Sequence, residues 1–86
     1  MKDKTKKEKI KYAAIKFEDK IYTGFHHRNI MDEVWLDWPG QEVTQEMQGF
    51  VTNTGRFVNR TEAANIAFNA GQIRGGINSL DSYQIF

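Results

Sequence analysis

The sequence predicts a small α+β domain in which two β-hairpins, each followed by a helix (ββα-ββα), contribute to one antiparallel sheet. Three observations lead to this fold class. Residues 10–17 alternate at the period of a strand, residues 28–38 follow the period of a helix, and residues 49–70 combine a hairpin signal with a capped helix. We expect residues 10–86 to form this single domain and residues 1–9 to be a disordered basic arm.

The first hairpin is predicted over residues 10–25. The run "IKYAAIKF" alternates its side chains between two faces, and "IYTGF" has strand composition after the polar turn "EDK". Residues 28–38 then place apolar side chains three or four positions apart, which is typical of one face of a helix. The Pro39-Gly40 pair is expected to end this helix.

The second hairpin is predicted from strands at residues 49–52 and 56–59. The intervening "NTG" fits a three-residue turn with Gly55 in the left-handed region, where only Gly avoids a steric cost. Asn59 is expected to cap the next helix. Glu62, three residues later, completes an approximate capping box.

The second helix is predicted to have a face of small and apolar side chains. These side chains recur at i, i+3, i+4 and i+7: Ala63, Ile66, Ala67 and Ala70. Gly71 is expected to end the helix. The final residues, 74–86, finish in an apolar run. We expect this segment to dock on its own domain or on a neighbouring copy.

The charges are unevenly distributed along the chain. Residues 1–11 contain six Lys and two carboxylates, a net charge of +4, whereas the remaining residues contain six basic and nine acidic side chains, a net charge of −3. This negative body disfavours a broad nucleic-acid interface. The Lys-rich start lacks the apolar run of a secretory signal, and no apolar stretch approaches the roughly 18–20 residues of a membrane span. We expect an intracellular protein without a membrane partner.

The sequence contains no set of residues that indicates catalysis. It has no Cys, no nucleophile elbow, and no pair of carboxylates that can be assigned as acid and base. His26 and His27 are adjacent, so on a strand they would point to opposite faces and would not chelate one metal ion. We therefore expect no enzyme, no metal site and no cofactor. The two rings would instead form hydrogen bonds or stack on a planar ligand.

Arginine is the residue type that points towards a ligand. The cations beyond residue 20 are all arginines: Arg28, Arg56, Arg60 and Arg74. Arg grips phosphate through two donors and stacks on bases, and Arg60 falls in the first turn of a predicted helix. Three aromatic side chains near these arginines could stack a base: Phe25, Phe50 and Phe57. The alternative from composition is that the Phe rings form the core and the arginines lie on the surface.

Three segments resemble a known phage family. They read "KYAAIKFEDKIYTGFHHRNI", "QGFVTNTGRFVNRTEAANIAFNAGQI" and "NSLDSYQIF". Together they span residues 11–86 and are similar to the first type of phage Thoeris anti-defence sponge. The resemblance implies a protein that sequesters cyclic ADP-ribose isomers, and in some members cyclic oligonucleotides, without cleaving them. It also implies a homo-oligomer, either a dimer or a hexamer, in the cytoplasm of the infected bacterial host.

The resemblance implies a pocket built from four stretches of this chain. They are the His26–Arg28 step, the Gly49–Thr52 strand with Phe50 and Thr52, the Arg56–Arg60 stretch, and the terminal segment. The competing hypothesis is a phage inhibitor that binds a host defence effector, such as a CRISPR nuclease, through protein–protein contacts. The small size, the acidic body and the apolar "YQIF" ending favour this alternative.

Overall fold

Two ββα units follow one another in the computed structural model, which describes residues 8–86. The strands are β1 (Ile10–Phe17), β2 (Lys20–Gly24), β3 (Gln48–Thr52) and β4 (Phe57–Asn59). The helices are α1 (His27–Asp37) and α2 (Arg60–Asn69), and two short 3-10 turns lie at Gln45–Met47 and Ser82–Gln84. The predicted ββα-ββα order is confirmed, and α1 begins one residue earlier than predicted.

The four strands form one antiparallel sheet in the order β2-β1-β3-β4. Within the central rows, Ala13 of β1 pairs with Gly24 of β2 and with Phe50 of β3, and Phe50 in turn pairs with Val58 of β4. The first strands of the two hairpins are therefore neighbours in the middle of the sheet. This arrangement confirms the predicted α+β class.

The core lies between one face of the sheet and the two helices. The largest fully buried side chains include Phe50 and Ile15 from the strands and Ile30 and Val34 from α1. The α2 helix contributes small buried side chains: Ala63, Ala64 and Ala67. Small residues allow α2 to lie close to the sheet. The other face of the sheet has no helix against it within residues 8–86.

The local signals of the second hairpin are confirmed. Gly55 has φ +89°, which is the left-handed conformation that the turn requires. The Asn59 side chain accepts a hydrogen bond from the Glu62 N–H at 2.7 Å, and the Glu62 side chain accepts from the Asn59 N–H at 3.2 Å. These two bonds form the predicted capping box. Gly71, with φ +76°, follows the end of α2.

Most of the predicted basic arm, residues 1–7, lies outside the described residues. The two described members, Glu8 and Lys9, contact the β3–β4 turn. The backbone of Lys9 exchanges hydrogen bonds with Asn53, donating to its side chain and accepting from its N–H, each at 3.0 Å. Contacts to the domain therefore begin at least two residues before the predicted boundary at residue 10.

Gln72 joins the end of α2 to the start of the sheet. Its side-chain amide accepts a hydrogen bond from the Ile10 N–H at 2.8 Å and donates one to the Ile10 carbonyl at 2.9 Å. The β1–β3 register shifts between Ile10 and Tyr12. The Gln72 amide therefore satisfies backbone groups of Ile10 at the irregular end of the ladder.

The terminal segment, residues 77–86, docks on its own domain. Leu80 is fully buried, and its N–H donates to the carbonyl of Arg60 at 3.0 Å. Ile77, Ile85 and Phe86 pack against the core from partly buried positions. The sequence predicts that this apolar segment docks either on its own domain or on a neighbouring copy. In the structure it docks on its own domain.

Candidate functional site

A groove of about 500 Å³ lies where α1, the start of α2, β3 and the terminal segment meet. We call it the α1 groove. It is lined by His27, Arg28, Met31, Asp32, Trp35, Gln48, Arg60, Asp81, Ser82 and Tyr83. Its size is within the range of small-molecule sites in proteins. The α1 residues recur three or four positions apart, so one face of this helix forms a wall of the groove.

Arg60 and His27 form a hydrogen-bonded network on the groove floor. His27 Nε2 lies 2.7 Å from the carbonyl oxygen of Gly49, which can only accept, so Nε2 holds the proton in this interaction. Arg60 Nη2 lies 3.4 Å from His27 Nδ1 and donates to Gln48 Oε1 at 2.7 Å. The Nδ1 atom faces a donor, so the ring suits the neutral tautomer with its proton on Nε2. Each ring nitrogen therefore has a partner within the fold.

Burial keeps His27 neutral. Its side chain is buried, and the desolvation of a charged imidazole, together with the positive charge of Arg60, lowers the pKa of His27. The hydrogen bond to the Gly49 carbonyl and the charge of Asp81 oppose this shift. The net direction is downward, so His27 serves Arg60 as a neutral acceptor.

The charge of Arg60 has no carboxylate partner within residues 8–86. Its Nη2 hydrogen bonds go to neutral acceptors, and its Nε atom is buried without a hydrogen-bond partner in this part of the chain. Arg28 adds a second cation to the lining, and Asp32 and Asp81 add two carboxylates. The groove is thus balanced in formal charge and has an unpaired guanidinium at its floor.

The terminal segment forms one end of the groove. Ser82 Oγ accepts a hydrogen bond from the His27 N–H at 3.3 Å, which satisfies a free donor at the start of α1. Asp81 caps the following 3-10 turn by accepting from the Tyr83 N–H at 3.0 Å. The Tyr83 ring stacks on His26, with 4.1 Å between ring centroids and 17° between ring planes. The terminal segment therefore connects to the beginning of both helices.

The structure brings some of the predicted site residues together. His27, Arg28 and Arg60 line the α1 groove, and His26 lies beside it under Tyr83. The His pair is not on a strand, since His26 is the N-cap of α1 and His27 is its first residue. The two rings still have separate partners: His26 Nε2 lies 3.2 Å from the carbonyl of Phe86, whereas His27 faces Gly49.

The other predicted site residues lie outside the groove. Phe50 is fully buried in the core, where its ring packs edge-on against His27 at 5.0 Å, so it has no free face for a base. Phe57 alternates with the buried Val58 and therefore faces the side of the sheet away from the helices. Phe25 is also outside the groove lining, with its ring 6.1 Å from that of Tyr12 and 5.5 Å from that of Phe86.

Thr52 and Arg56 belong to a separate cluster around Glu8. The Arg56 guanidinium donates to both Glu8 carboxylate oxygens, at 2.7 and 3.1 Å, and Thr52 Oγ1 donates to one of them at 2.7 Å. These hydrogen bonds, with Arg56 as the strongest influence, lower the pKa of Glu8 to about 2. Arg56 is therefore paired with a carboxylate, and the structure does not bring it together with Arg60 in the α1 groove.

Seven residues of the groove lining are not among the site residues named from the sequence: Met31, Asp32, Trp35, Gln48, Asp81, Ser82 and Tyr83. Trp35 is one of the apolar side chains of the helix predicted over residues 28–38, but only Ile30 and Val34 among them are fully buried, and Trp35 is 42% exposed. The resemblance had included the terminal segment without naming Tyr83. Within residues 8–86, no cluster of three or more metal-ligating His, Cys, Asp or Glu side chains is present.

The fold and the groove define a small α+β protein with a ligand-sized cleft that contains an unpaired Arg and exposed aromatic rings. Residues 9–86 match the family model described as Phage T4 y16D protein. The match covers most of the chain, so this chain belongs to that family and is a phage protein. No curated protein and no solved structure matches it. In the described part of the chain, no helix has the length and apolar character needed to cross a membrane.

Proposed function

We propose that this phage protein binds a phosphate-bearing nucleotide signal in the α1 groove and holds it without cleaving it. The resemblance noted above points to cyclic ADP-ribose isomers made by Thoeris immune signalling, and to cyclic oligonucleotides as related ligands. The protein would then act as an anti-defence sponge in the cytoplasm of the infected host. One observation gives the main support: Arg60 lies at the floor of a ligand-sized groove with no carboxylate partner within residues 8–86.

The neighbours of Arg60 suit the binding of a phosphate. A guanidinium whose charge is not paired retains its attraction for an anion, and its planar array of donors matches phosphate oxygens. Gln48 holds the Nη2 end at 2.7 Å, which fixes the orientation of the group before a ligand arrives. Preorganisation of this kind reduces the entropy lost on binding. Arg28 in the same lining supplies a second cation for a ligand with two phosphates.

The hydrogen bonds of the groove favour retention of the ligand over its cleavage. A general base needs a free nitrogen or oxygen within reach of the proton that it removes. Both His27 ring nitrogens already have partners within the fold. The imidazole of His27 is thus committed to the architecture of the groove and is not free to act as a base, which supports retention of the ligand.

Calorimetric titration tests the proposal. Purified protein is titrated with cyclic ADP-ribose, its isomers, and cyclic di- and trinucleotides. The bound ligand is then released by denaturing the protein, and its mass is measured by mass spectrometry. We expect saturable binding of at least one nucleotide and recovery of that nucleotide intact. Absence of binding to every member of this panel, or recovery of a hydrolysed product, would contradict the proposal.

The oligomeric state is a further part of the proposal. The resemblance implies dimers or hexamers with ligands held between protomers, and the exposed large apolar side chains of this chain offer surface for such contacts. Native mass spectrometry of freshly purified protein measures the number of chains and any retained nucleotide together. We expect a dimer or a hexamer, and a monomer at micromolar concentration would contradict this part.

A second candidate function is inhibition of a host defence effector, such as a CRISPR nuclease, by direct binding. The supporting observation is the exposure of large apolar side chains at the end of α1 and just after it: Leu36 is 82% exposed, and Trp35 and Trp38 are exposed as well. A pull-down from host extract with wild-type protein and with Leu36→Glu tests this function. A nuclease retained by the wild type and lost with the variant would support it, and equal recovery would argue against it.

A further inference from the structure

We propose that Tyr83 is the residue on which the base of the bound nucleotide stacks. The inference rests on the proposed function, because it assigns one wall of the same α1 groove. It also names the ligand class more closely: a molecule that presents a planar base beside a phosphate. The residue-based prediction had given this role to Phe25, Phe50 and Phe57.

One face of the Tyr83 ring is already covered and the other is available. The imidazole of His26 stacks on it with a centroid distance of 4.1 Å and an interplanar angle of 17°. Tyr83 is nevertheless 63% exposed, and it lines the α1 groove. An aromatic ring that is supported on one side and open on the other is a suitable platform for a base, since every base has a π-face.

Hydrogen bonds hold the Tyr83 backbone on one side of the stack and the His26 ring on the other. On the Tyr83 side, Asp81 accepts from the Tyr83 N–H at 3.0 Å, and the Asp81 N–H donates to Gln84 Oε1 at 2.7 Å. On the other side, His26 Nε2 lies 3.2 Å from the carbonyl of Phe86 and donates to it. The stacked pair is therefore held before a ligand binds.

Tyr83 lies at the same end of the groove as Arg60. Its stacking partner His26 directly precedes His27, whose Nδ1 atom is 3.4 Å from Arg60. The same segment is joined to Arg60 by the Leu80 N–H, which donates to the Arg60 carbonyl at 3.0 Å. A ligand whose phosphate meets the Arg60 guanidinium can therefore direct its base towards Tyr83 within the single groove of about 500 Å³.

The other aromatic rings suit this role less well. Trp35 lines the groove, but it is eight residues beyond His27 in α1, which corresponds to about 12 Å along the helix axis. Phe25 and Phe57 are outside the groove lining, and Phe50 is fully buried. Tyr83 is the exposed ring next to the network that holds Arg60.

The test compares four proteins in titrations with the nucleotide of the above panel that the wild type binds most tightly. They are the wild type, Tyr83→Ala, Tyr83→Phe and Phe68→Ala. Loss of base–aromatic stacking is expected to raise the Kd of Tyr83→Ala roughly 5- to 150-fold. Tyr83→Phe keeps the ring and should remain within about twofold of the wild type. Phe68 is a control ring that is 48% exposed on α2 and outside the groove lining, so Phe68→Ala should bind like the wild type.

Each outcome decides the inference. Binding by the wild type with an unchanged Kd for Tyr83→Ala would overturn the role of Tyr83 and leave the proposed function standing. An equal loss for Tyr83→Phe would assign the effect to the hydroxyl and also overturn it. A wild type that binds no nucleotide would overturn both proposals. Ultraviolet hypochromism of the bound base, present with the wild type and absent with Tyr83→Leu, gives a second readout if Tyr83→Ala does not fold.

Discussion

Replacing Gly49 with Ala is expected to destabilise the domain, because β3 has no space for a β-carbon at this position. A Cβ there would overlap the carbonyl oxygen of Val58 and would lie 2.8 Å from Cζ of Phe57. Val58 belongs to β4, which pairs with β3, so its carbonyl can move only if the strand pairing shifts. Overpacking of this kind costs about 1–3 kcal/mol. We expect the upper end of this range, because the obstacle is backbone rather than a flexible side chain.

The net effect includes the unfolded chain. Gly→Ala reduces the entropy of the unfolded state and stabilises the fold by about 0.4–1 kcal/mol. The expected net loss is thus about 2 kcal/mol, which for a domain of this size lowers the melting temperature by roughly 8–16 °C. The change also reaches the candidate site, since the Gly49 carbonyl accepts a hydrogen bond from His27 Nε2.

Thermal and urea unfolding, followed by circular dichroism, measure this loss. Gly76→Ala is the matched control, because a Cβ at Gly76 would meet no atom within 4 Å and its φ lies outside the left-handed region. We expect Gly76→Ala to remain within about 1 kcal/mol of the wild type. If Gly49→Ala melted at the same temperature as Gly76→Ala, the close approach of β4 to Gly49 would be refuted.

Two further predictions concern contacts that connect distant parts of the chain. The pKa of Glu8 is lowered from its ordinary value of 4.5 to about 2, so its contribution to stability is complete above pH 4.5 and is lost as the pH falls through 2. Urea unfolding should therefore show a gap between the wild type and Glu8→Gln that is constant above pH 5 and closes towards pH 2, and a gap independent of pH would contradict the ion pair with Arg56. Gln72→Leu removes both hydrogen bonds to the Ile10 backbone and should cost about 1–3 kcal/mol in the same assay. Gln41→Leu removes one exposed hydrogen bond, to the Glu42 carbonyl, and should change stability by less than about 0.5 kcal/mol. Equal stability of these two variants would exclude a structural role for the Gln72 contacts.

The local structure of the second unit could be predicted because each signal acts within a few residues. The turn at Gly55 and the Asn59–Glu62 capping box depend on backbone sterics and on hydrogen bonds between neighbours in sequence. Such effects are the same in any protein. The pairing of the two hairpins followed from the same local evidence, because short amphipathic strands need partners to bury one face.

The candidate site was only partly predictable, since its members meet through contacts distant in sequence. Arg56 and Arg60 are four residues apart, yet one is paired with Glu8 at the turn and the other lies in the α1 groove. The composition of the chain contains no signal for this separation. Tyr83 joins the site only because Leu80 is buried and anchors the terminal segment beside Arg60. The apolar character of this segment predicted docking but not where it docks.

The most direct test of the binding groove compares Arg60→Gln with Arg56→Gln in calorimetric titrations of the nucleotide that the wild type binds. A hydrogen bond to a charged group contributes about 1.5–3 kcal/mol, so Arg60→Gln should raise the Kd roughly 10- to 150-fold. Arg56 is held by Glu8 at 2.7 Å outside the groove lining, so Arg56→Gln should change the Kd by less than twofold. An unchanged Kd for Arg60→Gln, or equal losses in the two variants, would contradict the assignment of the ligand to the α1 groove.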